Sequence, residues 1–219
     1  MKRLVLIASV LLACHDSVDP VPSGLTALHA TPDTVLADGV SQTAVTATVD
    51  THLPIAFWSV TFTSTAGVFL ESGTSTVTLG AGPAGVATVY LRAPRDSVTA
   101  MVTATADTVV RTTTVHFAFA PVDSMTVVPA ALDVGDSVQV TAYLSSNIGF
   151  PSPGVLLKFT ATSSAGDSTG QFTPVVPSDT TNVVTVQYYR SPTYVGTVTI
   201  AASAPNGVVG RAVITAPPP

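Results

Sequence analysis

The sequence is written twice. Phe62 stands 97 positions before Phe159, Pro32 before Pro129 and Val86 before Val183, three matches in order at one offset. Longer stretches follow the same alignment: WSVTFTSTAG (58–67) beside VLLKFTATSSAG (155–166), and GVATVYLRAP (85–94) beside NVVTVQYYRSP (182–192). A period near 97 is too long for a solenoid unit of ~20–50 residues. It suits a sandwich domain of ~100 residues. Whatever one half folds into, the other half must fold into as well.

Within each copy the apolar residues alternate. Val45, Ala47 and Val49 stand opposite Thr46 and Thr48; their counterparts Val140, Ala142 and Leu144 stand opposite Thr141 and Tyr143. Trp58, Val60 and Phe62 match Val155, Leu157 and Phe159, and Ala87, Val89 and Leu91 match Val184, Val186 and Tyr188. Val98, Ala100, Val102 and Ala104 form another inward row, as do Val198, Ile200 and Ala202. A period of two places each set on one face of a strand. Strands this short bury such a face only by packing sheet against sheet. Turns are marked by Asp38-Gly39, Gly80 to Gly85, Asn147 to Gly154 and Asn206-Gly207, where Gly and Asn tolerate positive φ. Thr and Ser occupy the polar positions, and only 10% of residues are charged against ~25% in an average soluble protein. The pattern is all-β. One domain is expected over 25–120 and a second, diverged one over 121–216. Residues 118–124 join them, and Pro121 there cannot donate to a sheet.

The first twenty residues read differently. Met1-Lys2-Arg3 is a basic head, and Leu4 to Ala13 is apolar apart from Ser9. Ten helical residues span ~15 Å, half of the ~30 Å a bilayer core needs. This is the pattern of a secretory signal peptide. Its end, Leu11-Leu12-Ala13-Cys14, resembles the lipobox of bacterial lipoproteins. The resemblance implies cleavage between Ala13 and Cys14, acylation of the Cys14 thiol, and so a membrane partner reached through lipid. Two or three acyl chains anchor durably where one does not. The alternative is a plain signal peptide with a chance Cys. Cys14 is the single cysteine, so no disulfide can form within the chain, and a lipid cap accounts for a lone thiol in an oxidising compartment. Residues 14–24 form a polar, Pro-bearing tether reaching at most ~35 Å. In enterobacterial lipoproteins Asp directly after the Cys retains the protein in the inner membrane. His15 stands there instead, which implies the outer membrane of a two-membrane cell.

The repeats also carry a family resemblance. Ala37-Asp38-Gly39 with Ser41 and Thr43, then Val45 to Val49, Val60-Thr61-Phe62-Thr63 with Ala66-Gly67, Gly85 to Val89 with Leu91, and Val102 to Thr105 resemble the bacterial Ig-like domains of the invasin/intimin type. The second copy keeps Val138 to Ala142, Phe159-Thr160 and Ala165-Gly166 and lacks the Ala-Asp-Gly opening. The resemblance implies two tandem Ig-like β-sandwich domains after a cleaved lipoprotein signal peptide. It also implies a spacer or adhesion role at a bacterial surface. Adhesins of the family carry a membrane β-barrel before the stalk and a lectin-like tip after it. This sequence shows neither, and no third domain is expected after Pro217-Pro218-Pro219, so receptor-binding residues are not carried over.

Composition narrows the function further. Loss of Lys2 and Arg3 with the signal takes the eight basic residues to six, against thirteen acidic ones. Nothing basic is clustered, so no nucleic-acid partner is expected. His15, His29, His52 and His116 lack metal-site spacing. Asp33, Asp38, Asp133 and Asp136 sit near turns, singly or as a loose pair, which favours loop roles over calcium. Glu71 is the single Glu and no Gly-x-Ser-x-Gly occurs. No catalytic residue, metal or cofactor is expected. Trp58 shares its face with Val60 and Phe62 and is read as core rather than as a sugar-stacking platform. Tyr90 and Tyr189 fall on outward positions, where exposed Tyr serves binding surfaces. Two readings stand. The first is a monomeric, non-enzymatic, lipid-anchored envelope protein acting as spacer or as an interaction module for an envelope protein. The second is a glycan-binding module using aromatics near Tyr189 or Tyr90.

Overall fold

A computed structural model of the protein describes residues 24–131 and 136–218. Ala13, Cys14, His15 and Asp133 lie outside the described residues. The first copy forms β1 (Leu25–Thr31), β2 (Thr34–Leu36), β3 (Gln42–Val49), β4 (Ser59–Ser64), β5 (Val68–Phe69), β6 (Thr76–Gly80), β7 (Val86–Arg92), β8 (Val98–Ala106) and β9 (Val109–Ala118). The second forms β10 (Ser124–Pro129), β11 (Ser137–Ser145), β12 (Lys158–Ser163), β13 (Gln171–Phe172), β14 (Val183–Tyr189), β15 (Gly196–Ser203) and β16 (Val209–Ala216). Val, Thr and aromatic residues fill these strands because their branched or flat side chains suit a pleated, half-buried surface.

Each copy is a two-sheet sandwich. In the first, sheet β1-β3-β7-β5 faces sheet β2-β9-β8-β4-β6; in the second, β10-β11-β14-β13 faces β12-β15-β16. The pairs are antiparallel except β2 with β9. The repeat is exact at the level of register. Val45 pairs with Val89 and Ala47 with Ala87, as Val140 pairs with Val186 and Ala142 with Val184. Phe62 faces Ala104 as Phe159 faces Ala202.

The inward rows build two separate cores. One gathers Val45, Val60, Phe62, Phe69, Val89, Leu91, Val102 and Phe117. The other gathers Val140, Leu157, Val186, Tyr188, Val198, Ile200 and Ile214. Fully burying each such side chain contributes ~1.5–3 kcal/mol, so these cores form without disulfides. Besides Trp58, which is only partly buried, two expected core residues differ. Val98 is exposed, because β8 meets β4 only at Val102 to Thr105 and Val98 lies beyond that overlap. Phe159 is only half-buried, though it packs against the second core.

The reason for the second difference is a missing strand. β6 pairs with β4 along Ser59 to Thr63 and closes the first sandwich. Sixteen residues separate Phe69 from Val86, but ten separate Phe172 from Val183. The shorter stretch contains Pro174 and Pro177, which cannot donate to a ladder, and forms no strand.

Candidate functional site

The aromatic residues singled out by alternation point outward. Tyr90 and Tyr189 are exposed, while Tyr188 is fully buried. They stand on different domains. Tyr189 borders a shallow cavity of about 350 Å³ lined by Gly170, Gln171, Tyr189, Arg190, Ser191 and Pro192. Arg190 is committed in part, since its Nη1 donates to the Pro217 carbonyl at 2.7 Å. Tyr90 has its own N–H donating to Glu71 Oε1 at 2.9 Å.

The histidines and aspartates do not converge. Among the described residues no group of three or more His, Cys, Asp or Glu could hold a metal ion. His52 meets Asp50 at 2.8 Å, and the hydrogen bonds from His52 hold the Asp50 carboxyl below its usual range. His116 Nδ1 lies 3.0 Å from Thr99 Oγ1. Trp58 packs against the first core and its Nε1 donates to the Leu53 carbonyl at 3.0 Å, so its polar edge is satisfied without a ligand.

Asp38 takes the loop role expected of it, but as a buried residue. It is completely buried. Its carboxylate accepts the N–H of Val40 at 2.9 Å and both the N–H and hydroxyl of Ser41 at 2.6 Å. That cap pins the loop between β2 and β3, and the loop's carbonyls then reach the second domain. The Asp38 carbonyl accepts the Phe150 N–H at 3.0 Å, and the Ala37 carbonyl accepts the Ser152 hydroxyl at 3.0 Å. Ser152 Oγ also accepts the Ala120 N–H at 3.0 Å, and the Ser152 N–H donates to the Ala120 carbonyl at 3.0 Å. Ser152 is buried, so each of these bonds is shielded from water, where an unmade one is costly.

Arg95, between β7 and β8, completes the junction. Its Nη2 donates to the Pro151 carbonyl at 3.2 Å and to Asn182 Oδ1, and its Nη1 donates to the Thr180 carbonyl. The guanidinium carbon lies 4.7 Å from the centroid of the Phe150 ring, within cation–π range. Planar, multiply donating Arg suits such a bridge better than Lys. The turn that receives it is held by Asp179, whose carboxyl is pushed below its usual range by hydrogen bonds from the Thr181 hydroxyl and N–H, with a smaller effect of Arg95. Gly149 has φ +61, and a Cβ there would lie 2.5 Å from the Asp38 carbonyl oxygen. Only glycine lets the two backbones come this close. None of Arg95, Phe150, Ser152 and Asn182 was legible as a site. The one signal was the long turn from Asn147 to Gly154, with more residues than a hairpin needs.

Neither a protein-family model nor a curated protein matches the sequence. Solved structures do match. The adhesin InvE of Yersinia pseudotuberculosis is 20% identical with a TM-score of 0.58, over 88% of this chain and 60% of that one. Invasin, a bacterial integrin-binding protein, is 17% identical with a TM-score of 0.67, over 89% of this chain and 39% of that one. The chain thus spans less than two thirds of either protein. At these identities the likeness is one of fold, and the chain carries the invasin-type Ig-like sandwich fold twice in tandem.

Proposed function

We propose that the chain is a non-enzymatic, lipid-anchored protein of the cell envelope whose two Ig-like domains act as a stiff spacer and interaction module. The observation that carries this reading is the junction. Main-chain bonds at Asp38, Ala37 and Ala120, the buried Ser152 and the Arg95 bridge all tie one sandwich to the next. A free linker would need none of them. The fold likeness to an adhesin and to an integrin-binding protein supports an adhesive or interaction role. The Leu-Leu-Ala-Cys ending at Cys14 supports acylation, and His15 in place of an Asp directly after it supports an outer-membrane address. Spin labels placed on the two domains test the spacer. A narrow distance distribution is expected, broadened by Arg95→Ala with Ser152→Ala; a broad distribution in the unaltered chain sinks the reading. Fatty-acid labelling of the wild type, lost in Cys14→Ala, tests the anchor separately.

The second reading is a glycan-binding module at Tyr189. It draws on the cavity beside that ring, where Gln171, Arg190 and Ser191 offer polar groups. Glycan-array binding abolished by Tyr189→Ala would favour it over the first reading.

A further inference from the structure

We propose that the open edge of β12 is a docking site for a short extended segment of another protein, an aliphatic–acidic–aliphatic stretch that pairs with it as an added strand. The first domain supplies the template. There β6 lies along β4, with Val77 opposite Phe62, Thr78 opposite Thr61 and Leu79 opposite Val60. Phe62 and Phe69 are completely buried beneath that cover. In the second domain the equivalent rings, Phe159 and Phe172, are half-buried with centroids 5.7 Å apart.

Four features mark the vacancy. The edge of β12 is closed at both ends and open between. At one end the Ser178 N–H donates to the Val155 carbonyl at 2.9 Å, and at the other the Thr169 N–H donates to the Ala161 carbonyl at 3.0 Å. Since Ala161 turns its carbonyl away from β15, alternation turns the N–H and C=O of Phe159 the same way. No described group meets them, or those of Leu157. A cavity of about 430 Å³ opens here, lined by Phe159 to Ala161 and Ser168 to Phe172. Thr169, itself buried, lines it with its Oγ1 unpartnered. Buried polar groups left this way mark a place for a partner.

Charge selects the occupant. In the first domain Thr61 Oγ1 and Thr78 Oγ1 lie 2.9 Å apart across the pair. Lys158 takes the place of Thr61, exposed and without an ion pair among the described residues. A residue opposite Lys158 is favoured when it carries a carboxylate, while a lysine on an open edge discourages indiscriminate pairing. This gives the interaction role proposed above a location, and depends on that role only for the partner's being an envelope protein.

The test uses the mature chain, residues 14–219, with Cys14→Ser to keep it in solution, and blocked peptides that copy β6. Titrating Thr-Val-Glu-Leu-Gly should move the amide resonances of Leu157, Phe159 and Thr169 saturably, at weak affinity because so few residues pair. The Val60 and Phe62 amides, already covered, should stay put. Thr-Val-Lys-Leu-Gly should bind about two- to fivefold more weakly, and the version with Pro in place of Val, which has no N–H to offer the Phe159 carbonyl, not at all. Thr169→Val should weaken binding without lowering the melting temperature. Absence of saturable shifts at these amides overturns the proposal. Shifts that depend on protein concentration alone assign the edge to a second copy and overturn it equally. All of this is read without membrane or anchor, so failure of the lipoprotein reading shows up elsewhere, in the fatty-acid labelling.

Discussion

The two domains share a register and, among the described residues, differ at the edges of one sheet. In the first, five strands make the second sheet and β6 seals Phe62 and Phe69. In the second, three strands make it, and Phe159 and Phe172 remain half-buried. The sheets containing β3 and β11 have the same strand order. The stretch between β13 and β14 is six residues shorter than that between β5 and β7, which accounts for the missing counterpart of β6, and the shared strands keep their pairing. A sandwich tolerates this because each pair of neighbouring strands is held by its own ladder and its own cross-strand contacts. The loss falls on the element that paired with a single neighbour.

The comparison breaks most directly at the equivalent phenylalanines. Phe62→Ala should destabilise the first domain by ~3–5 kcal/mol through the cavity it leaves. Phe159→Ala should cost the second about 1–2 kcal/mol, since its ring is only partly buried. Denaturant titration followed by hydrogen exchange in each domain reads both, and equal costs would mean that the β12 edge is covered after all. Next in size is Ser152→Ala. It strands the buried Ala120 N–H and should weaken the coupling between domains by ~1–3 kcal/mol, seen as earlier, separate unfolding of the two halves.

Alkali sharpens the contrast further. Tyr188 occupies the place of Leu91, and burial raises its phenol pKa above the ordinary value, against smaller effects from Thr169 and Arg190. Its folded pKa lies above the unfolded one. The stability it contributes is present below the ordinary Tyr value of ~10 and is lost as pH rises above it. The second domain should lose stability there by a route the first lacks, and Tyr188→Phe should remove that dependence in an alkaline titration of unfolding. The smallest effect is expected in acid. Asp179 has a folded pKa held below its unfolded one, so its contribution is present above ordinary carboxylate values and fades as pH falls through the lowered pKa. Asp179→Asn should flatten the acid limb of second-domain unfolding slightly, leaving the first domain unchanged.

Much of the fold was legible because strand alternation is a property of the chain itself. Successive Cβ atoms point to opposite faces whatever surrounds them, so Val45, Ala47 and Val49, or Val198, Ile200 and Ala202, declared their burial in advance. The repeat carried that reading from one half to the other, and alternation within each copy placed Tyr90 and Tyr189 outward. Asp38 was legible as a turn residue but not as a buried one. What tertiary structure alone decided is where distant loops meet. Arg95 lies 85 positions from Thr180 and Ser152 lies 115 from Ala37, and no periodicity connects such residues. The open edge of β12 was equally hidden. Its row Val155, Leu157, Phe159 reads like Trp58, Val60, Phe62, because alternation reports which way a side chain points and not whether a neighbouring strand arrives to cover it.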